Sequence, residues 1–356
     1  MCCCFFPLDA RRVGRHSIFN LRFTVPGLDS VSNSADFARF NLFSGKGLKH
    51  NNAGVQNVML QQEIKEDLRA TIGSYVRLMK PGILVLLVLE AVTALIVASG
   101  QRTSVFSLIF LSVAGVLGSG GSSALNHYFE RNQDILMSRT DSRPVATNEI
   151  RPTNALIFGV VCIGTSLVIS YLLLNPMTAL MILLGAVSYA LVYTLLLKPR
   201  THWNIVIGGI AGVFPALAGW AAATGSVHWP ALFIGALVFL WTPPHFWGLS
   251  IKYREDYARA GFPMLSVVKD QKEVIKWIVL SSLPLLPFSL LPLIFSQLGT
   301  YNLIYYSAAV LMGLSFLFVD FRMLRSPTAD NGFKAFLVSL PYLFLIFGAM
   351  IASSIL

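Results

Sequence analysis

From Pro81 to the C-terminus the chain alternates between long apolar runs and polar links. Nine runs stand out, at about 82–99, 105–128, 153–174, 177–197, 205–223, 230–250, 275–297, 301–319 and 333–355. A helix crosses the hydrocarbon of a bilayer with roughly 20 apolar residues, so the pattern predicts nine transmembrane helices. The segment Gln61–Lys80 instead mixes apolar and charged positions, and within a region at 59–80 it predicts an amphipathic helix lying on the membrane surface. Residues 1–58 have no apolar periodicity and form a separate extension, disordered or targeting, with Met59 as an alternative start.

The links differ in charge. Gly100–Ser104, Asn175–Pro176, Thr224–Trp229 and Gln297–Thr300 are short, and longer charged links alternate with them. From Arg77 onward, 17 Lys and Arg fall on the side of the membrane shared with the N-terminus, against Arg102 alone on the other. Lys and Arg accumulate in cytoplasmic loops, which predicts a cytoplasmic N-terminus and, after nine spans, a C-terminus on the far side.

Composition agrees with this class. Of 356 residues, 55% are hydrophobic and only 12% charged, about half the charged fraction of a soluble domain. The net charge of +10 therefore needs no nucleic-acid partner, because loop bias explains it. Cys2, Cys3 and Cys4 are contiguous and Cys162 lies in an apolar run, so neither a disulfide framework nor a spaced metal set exists. The triplet resembles a palmitoylation site at most. The basic, Ser-containing extension permits a mitochondrial transit segment, but a bacterial cell (inner) membrane is the primary expectation, the mitochondrial inner membrane the alternative.

Candidate chemistry gathers on the basic side. After the second run, Asn126, Glu130 and Asp134 recur at i, i+4 and i+8, which forms one polar stripe on a helix. Polar groups at the membrane edge are costly and are functional candidates. Two carboxylates and an amide make a hard-oxygen set suited to Mg²⁺, and Arg139 and Arg143 follow as diphosphate-gripping candidates. The alternative is a helix end with solvated charges. A second cluster follows the sixth run, with Glu255 and Asp256 among Lys252, Arg254 and Arg259. A third link adds Lys198 and Arg200. Paired acidic and basic clusters on one face suit a diphosphate leaving group. Trp241, Trp247, Tyr189 and Tyr193 offer faces to a carbocation, or are ordinary interfacial aromatics. His127 and His245 lie near the two acidic clusters and suit heme-iron ligation or proton transfer, or are satisfied core histidines. Glu90 is an isolated carboxyl inside the first run, for which a partner or protonation is expected.

These motifs resemble the UbiA superfamily of intramembrane prenyltransferases. Asn126, Glu130 and Asp134 resemble its first acidic motif. RTDSRP (Arg139–Pro144), KPRT (Lys198–Thr201), NIVIGGIAG (Asn204–Gly212), WTPPHFW (Trp241–Trp247) and EDYARAGFPM (Glu255–Met264) resemble the branch that farnesylates heme. The resemblance covers roughly residues 75–355. It departs from the family at Glu130 and Asn132, where Asp is usual, and this puts the metal geometry in question.

The resemblance implies an all-α, nine-helix bundle around a central cavity. It further implies farnesyl diphosphate bound with Mg²⁺ as cofactor, heme b as acceptor and heme O as product, for heme A biosynthesis. A downstream heme A synthase or terminal-oxidase assembly would be its partner. Under it Asn126, Glu130, Asp134 and Asp256 hold Mg²⁺, with Glu255 a weaker candidate, and Arg139, Arg143, Lys198 and Lys252 bind diphosphate oxygens. His245, Trp241 and Tyr193 would face heme or the cation. The alternatives are a sister enzyme acting on a quinone precursor or chlorin, and a transporter or non-catalytic oxidase assembly factor. A transporter should carry paired broken spans at mid-bilayer.

Overall fold

The computed structural model describes residues 68–356 together with Gln61 and Lys65. The extension expected at 1–58 lies outside the described residues, as does part of the surface helix expected at 59–80. Within the latter, residues 68–78 are helical.

Among the described residues there are nine helices long and apolar enough to cross a membrane. They are α1 (Pro81–Arg102), α2 (Val105–Phe129), α3 (Pro152–Leu173), α4 (Pro176–Leu197), α5 (Asn204–Thr224), α6 (Trp229–Lys252), α7 (Gln271–Leu293), α8 (Leu303–Arg325) and α9 (Ala329–Ile355). The chain is an integral, multi-pass membrane protein. Prolines stand in the first turns of α1, α3, α4 and α6, where the missing N–H costs nothing. Asn175, Asp270, Asn302 and Thr328 cap later starts by accepting backbone N–H bonds.

Neighbours in sequence pack against each other around the bundle, and α1 closes it by contacting α2, α5 and α9. Small residues make these crossings, since lipid gives helices little hydrophobic reason to associate and close packing must do so. A Cβ on Gly219 of α5 would stand 1.9 Å from the Ala91 carbonyl oxygen of α1. A Cβ on Gly121 of α2 would stand 2.7 Å from the Gly159 oxygen of α3. The central member is α6, with 78% of its most apolar window buried. Its Trp241–Ile251 half, which contains Pro243 and Pro244, is enclosed throughout.

The two ends of the bundle are sorted by hydrogen bonds. At one end Gln271 reaches the Pro327 carbonyl at 2.7 Å and Arg259 the Leu136 carbonyl at 3.4 Å, which ties the charged links together. At the other, Gln101 reaches the Ile355 carbonyl at 3.1 Å and the Asn302 N–H the Ser353 hydroxyl at 2.7 Å.

Two boundaries differ from expectation. The seventh span begins at Gln271 rather than 275 and is broken: a regular helix ends at Ser282, and a short helix (Leu285–Ser289) and a 3₁₀ turn (Leu291–Leu293) follow. Pro284, Pro287 and Pro292 remove ladder donors there. The eighth continues past 319 to Arg325, because Asp320 is buried inside the bundle rather than ending the helix.

Because Gly219 meets backbone, which cannot yield, Gly219→Ala should lower stability by about 1–3 kcal/mol. Gly164 on α3 has open space beside it, so Gly164→Ala should be neutral or slightly stabilising. Thermal unfolding of both variants in detergent checks the contrast.

Candidate active site

The stripe predicted on α2 forms. Asn126 lies in the last turn of the helix, Glu130 caps it, and Asp134 closes a following turn (Arg131–Asp134). The ladder stays helical across the junction, with Glu130 N–H to the Asn126 oxygen at 2.9 Å and Asp134 N–H to the Glu130 oxygen at 2.8 Å. All three side chains are buried.

Buried carboxylates require counter-charge, and it comes from other segments. Lys198, at the end of α4, donates to Glu130 at 2.5 Å. Arg143 donates to both Asp134 oxygens at 2.7 and 2.8 Å, and lies 3.6 Å from Glu130. Burial alone would raise the Glu130 carboxyl, but Lys198 and Arg143 outweigh it and hold it at about 2. Asp134 is raised from the usual range by burial and by the neighbouring Glu130 charge, with Arg143 opposing.

Lys198 is delivered by a π-helical stretch, Ser188–Leu197, whose last bond runs from Lys198 N–H to the Tyr193 oxygen at 2.9 Å. Wide turns of this kind recur at functional sites. The same stretch turns Thr194 toward Asn126, whose amide N–H donates to it at 3.2 Å.

The second acidic motif is bonded directly to the segment that follows the first. Ser138 donates to Asp256 at 2.6 Å, Arg259 pairs with the same carboxylate, and Arg139 donates to the Tyr257 hydroxyl at 3.2 Å. The two acidic clusters therefore share one end of the bundle, which was the premise of a common diphosphate site.

Two clefts meet here. An apolar one, with about 1110 Å³ of open space, runs between α1, α2, α4, α5 and α6 and is lined by Leu84, Gly118, Ile182, Phe214 and Trp241 among others. A polar one of about 700 Å³ lies beside Arg77, Lys80, His127, Arg139, Ser142 and Arg143. Lys80 and Ile83 line both.

Lys80 escaped the sequence reading. Its ammonium donates to Asn126 Oδ1 at 2.6 Å and to the Tyr189 hydroxyl at 3.2 Å. Its backbone is left-handed, φ 54°, which is unusual for a non-glycine residue and marks a constrained position. The one signal in the sequence was a lysine immediately before the Pro81 that opens the first span.

Other candidates sit elsewhere. Lys252 is exposed, with its ammonium 3.8 Å from the centre of the Phe333 ring, and is not brought to the acidic stripe. Glu255 is exposed, whereas Asp256 is buried. His245 is buried, bonded to Ser339 at 2.6 Å and stacked on Trp241 at 3.9 Å, which matches the satisfied-histidine alternative. Tyr193 packs in the core beneath Gly208, and Tyr189, stacked on it at 6.0 Å, is the ring that lines the apolar cleft. Glu90 is fully buried in α1.

Among the described residues no three His, Cys, Asp or Glu side chains close into a metal-ligating group. Two carboxylates and an amide nonetheless suit Mg²⁺, which ordinarily fills the rest of its octahedron with water and substrate phosphate.

The sequence model of the UbiA prenyltransferase family matches residues 87–348. The chain is 42% identical to protoheme IX farnesyltransferase 1 of Cenarchaeum symbiosum, over 76% of this chain and 92% of that one. It is 38% identical to protoheme IX farnesyltransferase of Acidiphilium cryptum, over 80% and 91%. Among solved structures, a digeranylgeranylglyceryl phosphate synthase superimposes with a TM-score of 0.64 at 14% identity, over 80% of this chain and 99% of that one. A UbiA homolog from Archaeoglobus fulgidus bound to GPP and Mg²⁺ superimposes at 0.59, with 14% identity over 78% and 99%. At such identities these structures establish the fold.

Lys198→Met should leave the Glu130 carboxylate short of charge and cost roughly 3–5 kcal/mol. Adding Glu130→Gln should recover part of that loss, and unfolding of the single and double variants in detergent checks it.

Proposed function

Because the chain belongs to the UbiA prenyltransferase family, we propose that it transfers the farnesyl group of farnesyl diphosphate to a vinyl group of heme b. Water adds in the same reaction, so that diphosphate and a proton leave and heme O results. The enzyme is a prenyltransferase, and its curated relatives carry the name of this reaction at about 40% identity across most of their length. The observation that carries the reading is the Ser138–Asp256 bond. It draws two acidic–basic motifs to one end, where Lys80 joins them to an apolar cleft.

The roles follow from the chemistry. The farnesyl chain lies in the apolar cleft, where burial stabilises its hydrocarbon. The diphosphate meets Lys80, Arg139, Arg143 and Lys198, whose charge-assisted hydrogen bonds strengthen as negative charge grows on the leaving oxygens. Asn126, Glu130, Asp134 and Asp256 are the oxygen donors that would hold Mg²⁺, which supplies further positive charge to the departing diphosphate.

Ionisation of an allylic diphosphate leaves a carbocation that water would capture. The walls of the cleft exclude bulk water, and the faces of Tyr189 and Trp241 lie along it, placed to stabilise positive charge. The electron-rich vinyl group then forms the new carbon–carbon bond, and water entering at the polar mouth quenches the second cation. No covalent nucleophile on the protein is required. The basic end, bearing 17 of the 18 Lys and Arg from Arg77 onward, faces the cytoplasm in a bacterial membrane, or the matrix in a mitochondrion.

Expression in cells lacking heme O, followed by mass analysis of extracted hemes, tests the reading. The wild-type chain should yield farnesylated heme. Asp134→Ala should reduce it by about 10²-fold or more while the protein remains in the membrane, and chelation of Mg²⁺ should stop the reaction in isolated membranes until the metal is returned. A prenylated quinone or chlorin as the wild-type product would refute the choice of acceptor.

A further inference from the structure

The apolar cleft has a definite depth. Along α1 its wall runs from Lys80 to Ala91, and along α2 from Ser123 back to Leu111. At a rise of about 1.5 Å per residue, these stretches are about 17 and 18 Å long. Lys80 marks the mouth, because its ammonium donates to Asn126 and it also borders the polar cleft. The far end is closed. Ala91 and Leu111 pack with Leu95, and Leu108, Leu174 and Ala222 cover them. Met181 and Ala218, which also line the cleft, pack with Leu217 and Ala231. The approach of Gly219 to the Ala91 carbonyl brings Ala218 and Ala91 to one level.

The sides are drawn together by glycines. A Cβ on Gly118 of α2 would stand 2.9 Å from Ile182 of α4, and one on Gly185 of α4 would stand 3.1 Å from Phe214 of α5. One on Gly212 of α5 would stand 2.9 Å from Val238 of α6. These seams direct a chain that enters at the mouth toward the floor.

With C–C bonds of about 1.5 Å, the zigzag backbone of a farnesyl group spans at most about 14 Å, a geranyl group about 9 Å and a geranylgeranyl group about 19 Å. The farnesyl chain fills the cleft and leaves room for its junction with the diphosphate at the mouth. The geranyl chain stops short of the floor. The geranylgeranyl chain overruns it.

We propose that the cleft measures its prenyl donor, with Ala91, Leu111, Met181 and Ala218 forming a floor that selects three isoprene units over two or four. The proposal rests on the prenyl-transfer reading and adds to it the residues that set chain length. A shorter tail leaves the floor unfilled and forfeits apolar burial. A longer one must buckle or displace side chains that are already close-packed.

The test is binding of radiolabelled, unreactive thiolodiphosphate analogues of geranyl, farnesyl and geranylgeranyl diphosphate. The purified full-length protein is used, in detergent with Mg²⁺. The wild type should bind the farnesyl analogue about tenfold or more tighter than either of the others. Leu111→Ala and Met181→Ala lower the floor and should bring the geranylgeranyl analogue level with the farnesyl one. Ala218→Leu raises it and should weaken the farnesyl analogue by about tenfold, with geranyl unaffected. Because geranyl ends above the floor, its retained binding shows that each variant is folded. Leu311→Ala, on α8 and 63% exposed, should keep the wild-type order. Equal wild-type affinity for the farnesyl and geranylgeranyl analogues overturns the ruler, and so does a wild-type order in all three folded floor variants. The reading of function survives either result if farnesylated heme is still made. The expected order, with a product other than prenylated heme, would uphold the ruler and overturn the choice of acceptor.

Discussion

The organisation of this molecule turns on the cost of burying two carboxylates, Glu130 and Asp134, at the edge of a membrane. Neither can remain charged there alone. The chain supplies Lys198 from the end of α4 and Arg143 from the α2–α3 link, while Lys80, from the start of α1, bonds the neighbouring amide of Asn126. Three of the nine spans and the α2–α3 link are thus referenced to one stripe of side chains. The π-helical end of α4 and the left-handed backbone at Lys80 are departures from regular geometry, and each delivers a cation to that stripe. Irregular backbone is costly in a membrane protein. These two irregular segments both end beside the carboxylates.

The stripe also separates two kinds of space. On one side lies a cleft walled mainly by aliphatic and aromatic side chains, and on the other a cleft that Arg77, Lys80, Arg139 and Arg143 border. A substrate with a hydrocarbon tail and an anionic head is oriented by that boundary alone, tail inward and head at the acidic–basic mouth. Ionisation needs stabilised negative charge and dryness at adjacent points, and Lys80, which borders both clefts, stands where the two conditions meet.

Much of this was legible in the sequence, because membrane spans obey a length rule and loop charge obeys a bias. All nine spans, the shared face of the two acidic motifs and the oxygen-rich stripe followed from spacing. What escaped depended on side-chain direction. Lys252 and Glu255 have the right charge and neighbourhood, yet both are exposed, while Asp256, one position past Glu255, is buried. Tyr193 and Tyr189 are one turn apart, and only packing beneath Gly208 decides which lines the cleft. Lys80 was hidden because its role arises from a backbone conformation that a residue before proline seldom adopts.

The two departures from the usual acidic motif can now be weighed separately. Asn132 is exposed, off the buried stripe, so the charge missing there is one that solvent would largely have screened. Glu130 differs, because it is enclosed and its carboxylate meets Lys198 and Arg143 together. Its extra methylene is absorbed by reach toward those cations, while the helical ladder through Asn126, Glu130 and Asp134 keeps the backbone positions regular. The substitution therefore shifts where one carboxylate lies without altering the number of buried charges. Charge balance at the mouth is the property that diphosphate departure requires, and it is preserved.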